Sequence, residues 1–267
     1  MEMTLPLRPV RKMKRALRGL LERTNLGYRY LLRRDSGMTG PYGRPNAPWH
    51  NAVLRTFQER DQALEQVKAL GLPPMGEPTK NWDSLAALDF ILANTPTRGR
   101  ILDAGADRYS VILPWLFLYG YKRLDGINLV FEEPIRTGSM LYHHGDITRT
   151  KFEARTFDAI TCLSVIEHGV DLELYFREMA RILRPGGALI TSTDYWQTPI
   201  DTHGQIMFDA PVHVFTEKEI RGAIELAKGF GLALTGSVDL ACGEKVVHWT
   251  EVDLDYTFLV LTMRRKG

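Results

Sequence analysis

Apolar residues recur along the chain at two different periods, and the change comes near residue 100. From Pro9 to about Tyr30, Val10, Met13, Leu17, Leu20 and Leu21 fall at helical spacing while Arg and Lys take the other faces. That is the pattern of a basic amphipathic helix, which requires a partner surface. Residues 36–48 are too dense in Gly, Pro, Ser and Asn for helix or strand, and predict a linker or lid loop. A second helix is expected over 52–70, stopped by Gly71 and Pro73-Pro74, and a third over 84–94 behind a turn at Asn81-Trp82-Asp83.

Beyond Arg100, short apolar runs alternate with helical patterns. Strands are expected over 100–103, 123–129, 140–143, 157–163, 188–193, 233–240 and 256–262, with helices over 111–119, 172–183 and 217–230. Strands that alternate with helices pair in parallel in a sheet covered on both faces, so the fold class is doubly wound α/β. The last two strand runs follow each other without a helix between them, which makes the last strand antiparallel. Residues 1–79 thus form a basic helical extension with its linker, and residues 80–267 the α/β domain, with a cap inserted at about 194–215.

Composition adds little and charge adds more. With 44% hydrophobic and 25% charged residues in 267, the chain reads as soluble and globular. No run approaches the roughly 18 to 20 apolar residues of a membrane span, and the first thirty residues lack the apolar centre of a secretory signal, so a cytoplasmic location is expected. Cys162 and Cys242 form no Cys-x-x-Cys pair, which leaves neither zinc nor thiol exchange to them. The net charge of +2 hides an asymmetry: residues 1–36 carry ten Lys and Arg against Glu2, Glu22 and Asp35, a net +7, which leaves −5 elsewhere.

The run Arg100-Ile101-Leu102-Asp103-Ala104-Gly105-Ala106-Asp107-Arg108-Tyr109-Ser110 reads as a buried strand ending in an acid and a glycine, then a loop and a helix start. Ligands of doubly wound sheets sit at such carboxyl ends, where glycine lets backbone approach closely. The run resembles motif I of class I S-adenosylmethionine-dependent methyltransferases, Asp/Glu-x-Gly-x-Gly-x-Gly, at Asp103 and Gly105, with Asp107 and Tyr109 in place of the later glycines. Residues 123–129 resemble the second strand, whose terminal acid grips the ribose hydroxyls; Asn128 holds that place and can bond through both its oxygen and its nitrogen. His144-Gly145-Asp146-Ile147 matches the acid after the third strand, whose carboxylate accepts from the adenine amino group. Phe157-Asp158-Ala159-Ile160-Thr161-Cys162-Leu163-Ser164-Val165-Ile166-Glu167-His168 and the Leu183-Arg184-Pro185-Gly186-Gly187 turn resemble the fourth strand and the entry to the fifth in the small-molecule, methyltransferase-domain-11-like branch. The dinucleotide fingerprint Gly-x-Gly-x-x-Gly is absent, so no pyrophosphate is expected.

The resemblance implies a Rossmann-like seven-stranded, mostly parallel sheet of order 3-2-1-4-5-7-6, S-adenosyl-L-methionine as cofactor, and donor contacts from Asp103, Gly105, Ala106, Asn128, Asp146, Ile147 and Leu163. Methyl transfer from a sulfonium is an in-line displacement, in which the protein positions the acceptor and, for a hydroxyl, removes its proton. His168, just past the fourth strand, is the candidate base, with Asp194 beside it at the foot of the cap. Tyr195 and Trp196 are candidates to stack on a ring or sugar, and Asp201 and His203 to bond its hydroxyls. No tight ligand spacing supports a metal. The expected reaction is O-methylation of a small polar acceptor such as a saccharide or natural product. An RNA-directed enzyme or RNA binder is the alternative suggested by the +7 extension, but the chain has no recognised RNA module and no Asn/Asp-Pro-Pro-Tyr motif, so nucleic acid is not the expected partner. The basic helix can also pack on the domain or join two copies in a homo-oligomer. A non-catalytic donor-binding module is the third alternative, because positions 107 and 128 depart from the pattern.

Overall fold

Thr24 divides the basic N-terminal stripe into two helices where one is expected, α1 (Leu7–Glu22) and α2 (Asn25–Ser36). Its backbone is extended and its hydroxyl accepts from the Gly27 amide at 3.0 Å, an N-cap that starts a new helix. The computed structural model describes residues 7–207 and 209–267, with side chains from Lys14 onward. Val10 and Met13, counted in the apolar stripe, have side chains outside the described residues.

The expected helix from residue 52 begins later. Ala52-Val53-Leu54 is extended, forming β1 (Ala52–Val53), and α3 (Phe57–Ala69) starts only where the Thr56 hydroxyl caps Glu59. In contrast α4 (Lys80–Asn94) starts a turn earlier than expected. The Asn81 side chain serves the Met75 amide at 2.8 Å and the Met75, Glu77 and Pro78 carbonyls, so Asn81-Trp82-Asp83 is the buried first turn of the helix.

The remaining elements are β2 (Arg100–Ala104), α5 (Ile112–Leu118), β3 (Arg123–Asn128), β4 (Ile135–Thr137), β5 (Met140–His144), β6 (Phe157–Leu163), α6 (Leu172–Ile182), β7 (Leu183–Tyr195), β8 (Ile206–Met207), β9 (Ala210–Pro211), α7 (Glu217–Gly229), β10 (Leu232–Leu234), β11 (Val247–Trp249) and β12 (Leu254–Arg265). Strands β5, β3, β2, β6 and β7 pair in parallel in that order, and β12 runs antiparallel beside β7 with β10 on its far edge. This is the 3-2-1-4-5-7-6 order with an antiparallel last strand. Short β4, β1 and β11 are added at the edges, giving ten strands in the sheet among the described residues.

The strand expected over 233–240 is cut to β10. Thr235 ends it by donating both its amide and its hydroxyl to the Thr262 carbonyl, and the Asp239 amide then bonds to Asn51 of the N-terminal segment.

Strand alternation sends neighbouring residues to opposite faces. Ile101, Ala159, Ile190 and Phe258 enter a core with α4 and α5, while Leu102, Ile160, Leu189 and Leu259 enter another with α6 and α7. Leu54, Ala63, Val67 and Leu72, all fully buried, belong to the first core. Among the described residues no helix is long and apolar enough to cross a membrane. Because Leu54 is fully buried beside Phe258, Leu54→Ala is expected to cost about 2–5 kcal/mol in urea unfolding, the range for core leucines. A loss below about 1 kcal/mol would mean that β1 contributes nothing to the core.

Candidate active site

Strand β2 lies between β3 and β6, so the connections leave it in opposite directions and a crevice opens at the carboxyl ends. Gly105 follows β2 with φ +86°, its amide donating to the Ile127 carbonyl at 2.8 Å. A Cβ there would collide with the Val165 side chain of the loop after β6, so only bare backbone fits between the two loops. Asp103 is buried at the end of β2, accepting from the Thr161 hydroxyl at 2.7 Å. Burial pushes its carboxyl up to about 7, against the pull of that hydrogen bond and with help from Asp83.

At the end of β3, the Asn128 amide nitrogen donates to the carbonyls of Gly105 (3.2 Å) and Ala106 (3.0 Å), and its oxygen accepts from the Val130 amide at 3.3 Å. Ala106 itself is buried. Asp146, exposed after β5, accepts from the Thr148 amide and hydroxyl through Oδ1, which leaves Oδ2 without an intramolecular partner among the described residues. Ile147 behind it is buried, and Leu163 is partly buried at the end of β6. Ser164 takes a positive φ of 52°, and its buried hydroxyl has no partner among the described residues.

A second group of side chains meets beside the ends of β6 and β7. Glu167 is buried and accepts from the Thr193 hydroxyl at 3.1 Å. Asp194 is buried within β7; burial pushes it up to about 7, against the attraction of Lys80 and a hydrogen bond with Tyr256. Glu167 is held well above the usual carboxylate range, first by burial and then by the charge of Asp194. Asp83, fully buried on α4, accepts from the Ser192 hydroxyl at 2.6 Å and is likewise raised by burial. The Lys80 ammonium lies 4.3 Å from the Phe258 ring centroid. Burial alone would lower its pKa, but Asp194, Glu167, Asp83 and Glu77 together raise it. His168, partly buried in the turn after β6, has its pKa lowered by burial and by Lys80. The group therefore combines carboxyls that burial raises above their ordinary range with an imidazole that burial and Lys80 lower below its own.

Lys80, Asp83 and Tyr256 escape a reading from sequence, and Glu167 is read there only as part of a motif. The first two hide in a segment whose Asn and Asp look like a turn, although a Lys and an Asp three apart inside the apolar run around Trp82 and Leu85 were the available signal.

The four residues expected to bind acceptor are dispersed. Tyr195 is a correction: β7 extends through it, alternation puts it on the face opposite Asp194, and its buried hydroxyl donates to the Leu240 carbonyl at 2.9 Å. Trp196 is partly buried against the first core, with Lys245 over its ring at 5.3 Å. Asp201 and His203 are exposed and pair with each other at 3.1 Å. Among the described residues no group of His, Cys, Asp and Glu is placed to hold a metal ion. His50, His143 and His248 each pair with a carboxylate, and His144 with the Phe131 carbonyl.

Two clefts open on the surface. One of about 500 Å³ lies between β1 and α3, and one of about 550 Å³ between α2 and the loops holding Arg108 and Pro73.

Residues 124–191 match the family model described as a methyltransferase domain. The chain has the class I methyltransferase fold. A demethylmenaquinone methyltransferase of Mycolicibacterium gilvum is 46% identical over 46 residues, which is 17% of this chain and 20% of that protein. The match thus spans only about a fifth of the curated relative. Among solved structures, Haemonchus contortus phosphoethanolamine N-methyltransferase 2 in complex with S-adenosyl-L-methionine aligns at TM-score 0.52 and 15% identity, covering 79% of this chain and 58% of that one. The 1,6-didemethyltoxoflavin-N1-methyltransferase of Burkholderia thailandensis aligns at TM-score 0.50 and 20% identity, covering 79% and 88%. At these identities the likeness establishes the methyltransferase fold.

Asp103 gives the domain a pH signature. The folded carboxyl keeps its proton up to about 7, whereas an unfolded aspartate loses it near 3.9, so its stabilising contribution is present below about pH 4 and is lost as pH rises through 7. Asp103→Asn should flatten the decline of unfolding free energy over that window by up to about 1.4 kcal/mol per pH unit, read from urea midpoints at several pH values. An unchanged slope would place the Asp103 pKa near its ordinary value.

Proposed function

We propose that the chain transfers a methyl group from S-adenosyl-L-methionine to a hydroxyl of a small polar acceptor. The observation that carries the reading is the bare backbone of Gly105 against Val165 at the point where strand order reverses. The surrounding groups fit the donor: Asp146 Oδ2 and the Ser164 hydroxyl are polar atoms without a partner among the described residues. Asp146 accepts from the adenine amino group, Ile147 and Leu163 give the ring an apolar wall, and Asn128 Oδ1 offers its remaining lone pair to the ribose. Asp103, Gly105 and Ala106 form the floor. In this reading residues 80–267 carry the chemistry, and residues 1–79 are an extension that completes its edge.

When bound, the donor supplies an electrophilic methyl carbon on sulfonium sulfur. The chain orients the acceptor oxygen and takes its proton as the oxygen–carbon bond forms and the sulfur–carbon bond breaks. We assign the proton to His168, which is neutral at pH 7 because its pKa lies below the ordinary 6.5. Asp194 and Glu167 hold acceptor hydroxyls or relay that proton, and Trp196, Asp201 and His203 are assigned to the far side of the acceptor.

The test is calorimetric titration with S-adenosyl-L-methionine, followed by labelled methyl transfer to a panel of saccharides and phenols, with demethylmenaquinone as the comparison acceptor. Donor binding without transfer to any panel member would favour a non-catalytic module, and no donor binding would end the proposal. Asp146→Ala should weaken donor binding by about 1–3 kcal/mol, and unchanged affinity in a folded variant would remove Asp146 from the site.

His168→Ala should lower kcat about 10²- to 10⁴-fold at saturating donor, with donor affinity unchanged. The wild-type rise of activity with pH should be centred below 6.5 and be missing from the variant. A rise that persists would move the base to Asp194 or Glu167.

A further inference from the structure

We infer that the α1–α2 hairpin is a docking surface for an anionic lipid bilayer, on which it lies without spanning it. In α1, Lys14, Arg15 and Arg18 project over one arc of the helix, and Ala16, Leu17 and Leu20 over the opposite arc. A helix of a soluble protein turns its apolar arc inward, but here the polar contact with α2 is made by Arg18, while Lys14, Arg15, Leu17 and Leu20 are all exposed. Arg18 pairs with Glu22 at 2.8 Å and Asp35 at 2.9 Å, beside the 550 Å³ cleft, while Leu17 is 58% and Leu20 64% exposed.

The second helix repeats the arrangement. Gly27 and Leu31 are buried, and Arg29 turns inward over Phe117, donating to the carbonyls of Phe117 and Leu118. Leu26, 84% exposed, and Tyr30, 56% exposed, stand one turn apart on the outside. Large apolar side chains on two adjacent helices are thus offered outward, with exposed Lys14, Arg15, Arg23, Arg33 and Arg34 around them.

Charge and length select the occupant. A bilayer surface of anionic lipid takes Leu and Tyr at its acyl boundary and Lys and Arg at its phosphates in a single contact. RNA would account for the cations and leave Leu17, Leu20 and Leu26 in water. A second copy would set one +7 extension against another. Helices of 16 and 12 residues are about 24 and 18 Å long, short of the roughly 30 Å hydrocarbon core, and their charges keep them at the interface.

The full chain should be sedimented with phosphatidylcholine vesicles, with and without phosphatidylglycerol. Retention should be about ten-fold or more stronger on the anionic vesicles and should weaken with added salt. Leu17→Glu combined with Leu20→Glu should lower retention by on the order of ten-fold or more, while donor affinity, the check on folding, stays at the wild-type value. Equal retention on both vesicle types, or retention untouched by the double variant, would overturn the inference. So would a concentration-dependent dimer that the double variant abolishes without any vesicle binding, or poly(U) binding that anionic vesicles do not compete.

Discussion

The antiparallel register of β12 against β7 determines where the buried charged group around Lys80 and Asp194 can stand. Phe258 lies opposite Asp194 and Thr257 opposite Tyr195, and the pairing continues to Arg264 opposite Ala188. On its outer edge β12 receives β11, then β1, then β10 in turn. The Leu54 amide donates to the Phe258 carbonyl, and the Thr257 hydroxyl to the Leu54 carbonyl. The same two strands therefore tie in the N-terminal segment, support Lys80 on the Phe258 ring and set Tyr256 beside Asp194. A slip of one residue would exchange the faces of Phe258 and Leu259 and scatter this group.

Buried acids at the sheet's carboxyl edge are costly unless paired or protonated. Lys80 is one charge among Asp83, Glu167 and Asp194, so it offsets part of the carboxylate charge and leaves the rest to be covered by retained protons. Hydroxyl donors from Ser192, Thr193 and Tyr256 spread the load, since each can serve either protonation state. The same Lys80 charge that favours the ionised form of Asp194 also depresses His168.

The sheet was legible because its central strands are near-continuous apolar runs separated by helical patterns, and that contrast survives any detail of the turns. The loops after β2, β3, β5 and β6 were legible for a related reason: Gly105, Asn128, Asp146 and the Ser164–His168 segment each sit directly after a run that is unmistakably a strand. Strand ends were not legible. Ending the fifth strand at Thr193 places Asp194 and Tyr195 together in a loop, whereas two further residues of strand send them to opposite faces, one among the charges and one into the second core. Lys80 was invisible because its role depends on a helix start fixed by Asn81 bonding back to Met75, Glu77 and Pro78, which no local propensity announces. Likewise Ala52-Val53 has helical neighbours and becomes a strand only because the edge of β12 is open to it.

The departures from the motif I pattern become coherent when residues 105–110 and 128 are considered together. With Asp107 and Tyr109 in place of glycines, the loop cannot rely on backbone freedom and is tied down by side chains. Ser110 accepts from the Asp107 amide at 3.0 Å, and Asn128 donates to the Gly105 and Ala106 carbonyls. A carboxylate at 128 could not make those last bonds, because an ionised acid only accepts and would face two carbonyl oxygens. Asparagine at the end of β3 is therefore required by this loop, at the expense of a charge toward any ribose. On the β5 side of the crevice, Asp146 keeps one carboxyl oxygen without an intramolecular partner among the described residues, and Gly105 keeps bare backbone open against Val165.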